Sequence, residues 1–503
     1  MTHISTRLAV VSAAAVSMLV LAGCSAGAST DTADGSHDPS LTIGITGEPA
    51  NFDFTTTSGA PIPQLMMNNV YEGLVTVNQD GELEPQLAES WTVSDDGLTY
   101  DFVLNEGVTF SSGAEFTADD VKFSLERVKT DWTVNVAKMA YLDHVEVVSP
   151  TEARVVLTRP SNTWLFDMAS TVGMMFDEDG VADLANTPVG TGPFSVTEFV
   201  VGDHISLESR ADYWGEAPGM EDITVRYFAD AVASTNALRA GDVDMLYDMQ
   251  APDLVSQFES DDAMQVINGT STGEIILPMN NKTAPFDDLR VRQAVAYAID
   301  REALLDTAWA GYGTLIGAMV PPTDPYYEDL NDLYAYDPEK SRELLEEAGV
   351  ENLEIQLDVP TRPYATAVSE VLVSQLAEVG ITATINSTEF PAVWLDKVFN
   401  KHEFQASIIR ASEARDLLPT FNVPTYYIGY DNSEIAPLVE AADQAPYDEW
   451  VEGMKEVSKI IAEDVPAVPL FLFPNIVVAS ADLTGIAGNS VTESMVLSGI
   501  TWK

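Results

Sequence analysis

Cysteine is almost absent: of 503 residues, Cys24 alone carries a thiol. No intramolecular disulfide can form, so stability has to come from buried apolar side chains, and no thiolate cluster exists to hold a metal. Basic residues are scarce too, 24 Lys and Arg against 79 Asp and Glu, for a formal net charge of −55. Such a field repels nucleic acid and anionic headgroups and favours cationic or zwitterionic solutes over anionic ones. The carboxylates are spread along the chain, which reads as a solvated acidic surface suited to a saline medium that screens self-repulsion. Of the five histidines, His3 and His37 fall among the first 39 residues, while His144, His204 and His402 stand apart with no H-x-x-x-H spacing. No metal site and no cofactor are expected. After residue 24 the chain lacks any apolar run of the about 20 residues that a membrane span requires.

What is present begins at the N-terminus. Arg7 precedes an apolar stretch of roughly 14 residues bounded by small ones, the pattern of a secretory signal and too short to span a bilayer. Leu21-Ala22-Gly23-Cys24 resembles a bacterial lipobox, which implies diacylglyceryl transfer to the Cys24 sulfur and cleavage before it. Two or more acyl chains anchor stably where one does not. The expected division is a signal peptide over 1–23 and a lipidated tether over 24–39, a Ser/Ala/Gly/Asp tract without apolar periodicity. The alternative is an exported protein cut elsewhere with an incidental cysteine. Loss of Arg7 leaves 23 basic residues, and about 480 residues of mature chain predict two or three domains.

Elements of both types alternate. Leu41-Thr42-Ile43-Gly44-Ile45 alternates as a half-buried strand does. Thr117-Ala118-Asp119-Asp120 is a capping box, with Val121, Leu125 and Val128 following at helical spacing. Asp287 or Asp288 can cap a helix through Ile299. From Asp337-Pro338 to Gly349 the signals frame a second helix, Leu353 to Val359 alternates as a strand, Val368 to Val379 forms a helix ending at Gly380, and Ile381 to Ile385 alternates again. This β-α-β series over about 337 to 385 predicts a sheet with helical crossovers, hence an α/β protein.

These residues also carry a family resemblance covering most of the mature chain. Tyr71-Glu72-Gly73-Leu74-Val75, Leu83 to Trp91, Asp96-Gly97-Leu98-Thr99-Tyr100, Gly107-Val108-Thr109-Phe110-Ser111, Phe116 to Leu125, Gly190-Thr191-Gly192-Pro193-Phe194, Phe286 to Ala294 and Tyr297-Ala298-Ile299-Asp300-Arg301 resemble, in order and spacing, the family 5 solute-binding proteins of ABC importers. The resemblance implies a two-lobed periplasmic-binding-protein-like fold of type II, in its large three-domain form, with a hinge and an interlobe ligand cleft. Its expected parts are lobe I over 40–70, 185–275 and 479–503, an inserted domain over 71–184, and lobe II over 276–478. It further implies a monomeric, membrane-anchored receptor on the outer face of the cell membrane, or on the periplasmic side of an outer membrane. Its partners would be ABC permease subunits and its ligand a di- or oligopeptide, with a nickel chelate, an opine or a sugar as alternatives.

The ligand residues are less defined. Peptide-binding relatives place an aspartate for the ligand's α-ammonium late in lobe II, and the corresponding stretch is Ile408 to Pro419. It lacks the family's aromatic and Asp-Pro residues and carries two arginines. Glu413 or Asp416 would receive a cation, and Arg410 or Arg415 would hold a carboxylate through paired N–H donors, unless the stretch is a salt-bridged loop. Ser58 and Gly59, with Trp132, Tyr426 and Tyr427, are further cleft candidates, though aromatic residues are more often scaffold packing. A secreted hydrolase is the competing class: Gly269-Thr270-Ser271-Thr272-Gly273 matches G-x-S-x-G. A nucleophile elbow, however, leads into a helix, whereas Glu274-Ile275-Ile276-Leu277 reads as a strand. No enzyme activity is expected.

Overall fold

Seven strands form the first sheet, in the order Met264–Gly269, Asn475–Ser480, Met245–Leu246, Ser40–Ile45, Asp222–Tyr227, His204–Ser209 and Phe194–Val200. They belong to a computed structural model that describes residues 38–350, 352–412 and 414–503; the signal peptide, Cys24 and most of the tether lie outside the described residues, as does Glu413. Ser40–Ile45 runs parallel to Asp222–Tyr227 and Met245–Leu246, and the other pairs are antiparallel. Leu41, Ile43 and Ile45 point into the core, as their alternation predicts.

Within the expected insertion, a four-stranded antiparallel sheet, Ala88–Val93, Thr99–Leu104, Glu152–Leu157 and Leu142–Ser149 in that order, packs against helix Ala118–Asp131. Thr117 caps that helix and Asp120 closes the reciprocal capping box. This layer shares one apolar core with the seven-stranded sheet, because Phe54, Tyr71, Trp132 and Phe176 interlock between them at ring separations of 5.0 to 6.0 Å.

The second lobe has cores of its own. One three-stranded sheet pairs Glu274–Pro278 with Ile409–Ala411 and Ala467–Leu472; another sets Glu354–Pro360 parallel to Thr382–Thr388 and Ala406–Ser407. Asp337 caps helix Pro338–Ala348, Gly349 ends it, and helix Pro363–Glu378 makes the crossover to Thr382–Thr388, as the sequence pattern predicts. The helix capped by Asp288 stops at Tyr297, short of the expected Ile299, because Asp300 caps a separate helix, Arg301–Trp309.

Main-chain passages between the two bodies occur at 270–273 and 473–474. Residue 478, the expected end of lobe II, falls inside strand Asn475–Ser480, which pairs in the seven-stranded sheet. No helix among the described residues is long and apolar enough to cross a membrane.

Candidate functional site

The two passages are tied side by side. Ser271 Oγ donates to the Phe473 carbonyl oxygen at 2.6 Å and accepts from Gly273 N at 3.0 Å, while Phe473 N donates to Gly273 O at 2.6 Å. The G-x-S-x-G match is therefore a hinge crossing that enters strand Glu274–Pro278. A serine whose hydroxyl is held by main-chain groups, rather than by a general base, is not an activated nucleophile.

Strand Ile409–Ala411 leaves this hinge along the second lobe and brings the two arginines to opposite sides. Arg410 N donates to the Tyr364 hydroxyl at 3.1 Å, the guanidinium lies 4.3 Å from the Phe473 ring centre, and Nη1 is 4.0 Å from Asp248 Oδ2 in the first lobe. A Cβ at Gly273 would come within 2.4 Å of Arg410 Nε, so a larger residue there would displace the guanidinium from its place over Phe473. Arg415, at φ 55°, instead reaches towards the inserted layer. Its guanidinium carbon sits 3.5 Å from the Phe166 ring centre and 5.8 Å from that of Trp450, and its Nε is 3.7 Å from Asp324 Oδ1.

Beneath the Arg415 turn lie three buried carboxyls: Glu274, Asp324 and Asp416. Burial, then the neighbouring charges of Asp416 and Asp324, push Glu274 well above the usual carboxylate range. Burial raises Asp324 to about 6 even though Arg415 opposes the shift. Burial and the Asp324 charge likewise drive the Tyr326 phenol up. Burial thus holds the protons of Glu274 and Asp324 to higher pH than an exposed carboxyl keeps its own.

Between the lobes, Met67, Val77, Phe166, Ala169 and Ala414 form the apolar walls of a pocket whose polar positions include Lys138 and Glu493. The free space left between these walls is small, about 20 Å³. Polar contacts draw the two bodies together beside it. Arg159 Nη2, Ser161 Oγ and Asn162 N of the inserted layer all donate to the buried Asp443 carboxylate at 2.9 to 3.1 Å, and Arg159 Nη1 reaches Glu440 at 3.1 Å.

Of the residues singled out from sequence, Arg410 faces Asp248 of the first lobe, Arg415 covers Phe166 of the inserted layer and Asp416 is buried, and none of the three is in the pocket lining. Ser58 and Gly59 lie on the loop before helix Pro61–Met66, outside the pocket lining. Trp132 is buried against Phe54 and Phe176 in the first core. Tyr427 is buried among Trp394, Phe399, Phe404 and Tyr426, and Tyr426 meets Phe399 edge to face in the same cluster. Phe166, Asp324, Glu274 and Asp443 escaped sequence reasoning, for none belongs to a spacing motif. Among the described residues no group of three His, Cys, Asp or Glu side chains is placed to hold a metal ion.

Residues 82–432 match the family described as bacterial extracellular solute-binding proteins, family 5 Middle. The glutathione-binding protein GsiB of Salmonella typhi is 28% identical over 460 residues, covering 84% of this chain and 87% of its own. The ABC transporter substrate-binding protein CtaP of Listeria monocytogenes superposes with a TM-score of 0.84 at 22% identity, over 93% of this chain and 100% of that one. NikA of Brucella suis, solved in complex with Fe(III)-EDTA, superposes with a TM-score of 0.81 at 24% identity, over 93% and 100%.

Proposed function

The chain belongs to the bacterial extracellular solute-binding proteins of family 5, the receptors of ABC transporters rather than enzymes, and from that premise we propose that its ligand is a di- or oligopeptide. The observation that supports the reading is the pair of arginines on one short stretch of the second lobe, Arg410 facing Asp248 of the first lobe and Arg415 facing Phe166 of the inserted layer. A zwitterionic peptide offers an α-carboxylate to a guanidinium and an α-ammonium to a carboxylate, each a charge-assisted hydrogen bond. The name of GsiB supports the peptide class, since glutathione is a tripeptide.

Ligand contacts with both walls would stabilise the closed arrangement, which the permease then recognises. Acylated Cys24 would hold the monomeric receptor beside that permease and raise its effective concentration there. A thermal-shift panel of peptides, metal chelates and sugars tests the ligand class, because a ligand at 100 times its Kd adds about 2.7 kcal/mol to stability. Stabilisation by a chelate or a sugar and by no peptide overturns the reading. The chelate alternative draws on NikA, whose bound Fe(III)-EDTA is a polycarboxylate of the kind that paired arginines hold.

A further inference from the structure

The two hinge passages are bordered differently on their two flanks. On one, Arg410, in the strand beside Glu274–Pro278, meets Asp248 just past strand Met245–Leu246. On the other, Thr314 pairs with Leu472 at the opposite edge of that second-lobe sheet, and the segment before it carries Tyr312 out to the first lobe. Positive φ at Ala310, Gly311 and Gly313 (52°, 77° and 135°) makes the projection, and a Cβ at Gly313 would come within 2.9 Å of the Leu472 carbonyl oxygen. The Tyr312 ring packs against an apolar core of each lobe, and its hydroxyl donates to Glu259 Oε1 at 2.5 Å. Burial, then that bond, push the phenol up to about 12, so it remains a donor at neutral pH.

Asp253, Ser256, Glu259, Asn268 and Tyr312 surround a solvent-open cavity on this flank with about 480 Å³ free, against about 20 Å³ in the pocket on the cleft side. We propose that this rear cavity is the space consumed when the cleft opens, and that the Tyr312–Glu259 contact is a tie that favours the closed arrangement by resisting its collapse. A rotation about two adjacent passages that separates Arg410 from Asp248 brings the opposite flank together. Tyr312 and Glu259 already touch there, so opening has to break or slide their contact, and the free volume beside them is what lets it proceed. Ligand enters an open cleft and is retained by a closed one. The rear flank therefore sets the open fraction, and with it the apparent affinity, without touching the ligand.

The test measures double electron–electron resonance distances on the unliganded mature full chain. Cys24→Ser leaves only the introduced thiols of Asp80→Cys, on the hairpin of the inserted layer, and Glu456→Cys, on helix Tyr447–Asp464 of the second lobe, to carry spin labels. Glu259→Ala and Tyr312→Phe each remove the tie, the second while keeping the ring, and both should lengthen the mean label distance. Combining them should add nothing further, since both delete one bond. Ser256→Trp fills the cavity from an exposed position and should shorten the mean distance instead. A distance that Glu259→Ala leaves unchanged, or that Glu259→Ala and Ser256→Trp move in the same direction, overturns the proposal. No peptide enters these measurements, so that failure leaves the ligand reading untouched.

Discussion

Ser271 Oγ donates a 2.6 Å hydrogen bond to the carbonyl oxygen of Phe473, joining the two strands by which the chain passes between its lobes. The same hydroxyl accepts from Gly273 N, so one side chain satisfies two buried main-chain groups at the hinge. Ser271→Ala should lower stability by about 1 to 3 kcal/mol, the cost of leaving such groups unpaired, in reversible denaturant unfolding. An unchanged midpoint would show that the hinge does not depend on this bond.

Glu72 is a second buried keystone. Its carboxylate accepts from Tyr213 Oη at 2.7 Å and Trp214 Nε1 at 2.9 Å, fastening the start of the inserted layer to the first lobe. Burial raises its pKa against the lowering effect of those donors. Glu72→Gln keeps the shape but turns one acceptor into a donor facing a donor. It should cost about 1 to 3 kcal/mol in thermal unfolding, whereas Glu82→Gln on the exposed hairpin should cost almost nothing.

The elements that were legible in the sequence carry their own punctuation. Asp337-Pro338 and Gly349 mark both ends of a helix, and strand Glu354–Pro360 announces itself by alternation before its parallel partner. The passage at 473–474 was illegible for the opposite reason. Ala467–Leu472 and Asn475–Ser480 are both buried strands, so a mostly apolar run continues across the change of lobe, and Pro474-Asn475 stands out little from Pro469 within the first strand. The cleft was half legible. The two arginines stand out in an acidic chain, but their partners Asp248, Asp324 and Phe166 are far away in sequence, and only the tertiary fold brings them together. Trp132 and Tyr427 show why an aromatic side chain alone does not identify a ligand wall: the same amphipathic ring serves a core equally well.

The proposed anchor is separable from binding. Cys24→Ser should move the protein from the membrane fraction to the soluble fraction after cell breakage, because no second thiol remains to take acyl chains. Peptide affinity should be unchanged within about twofold, roughly 0.4 kcal/mol. A large fall in affinity would contradict that division of labour.

Closure should depend on Asp443. Three donors from the inserted layer converge on it across the cleft, while the cores of the two bodies do not include it. Asp443→Ala is therefore expected to lengthen the distance between spin labels on the hairpin at Asp80 and on helix Tyr447–Asp464, with each lobe still folded. Affinity for any peptide that closes the wild type should fall by about tenfold, roughly 1.4 kcal/mol. Unaltered label distances would place the closing contacts elsewhere.

The acid cluster makes its own prediction about pH. Asp324 has a folded-state pKa of about 6, raised by burial above the ordinary aspartate value of 3.8, and Glu274 is raised well above the usual carboxylate range. A carboxyl with a raised folded pKa binds more protons in the folded chain than in the unfolded one, so its stabilising contribution is present at low pH and is lost as pH rises through the folded value. For Asp324 that loss falls between about pH 4 and pH 6. Asp324→Asn removes this titration, and the difference in unfolding free energy between wild type and variant should shift against the wild type across that window and then level off. Parallel pH profiles for the two proteins would mean that Arg415 holds Asp324 ionised throughout, and that Glu274 carries the shared proton.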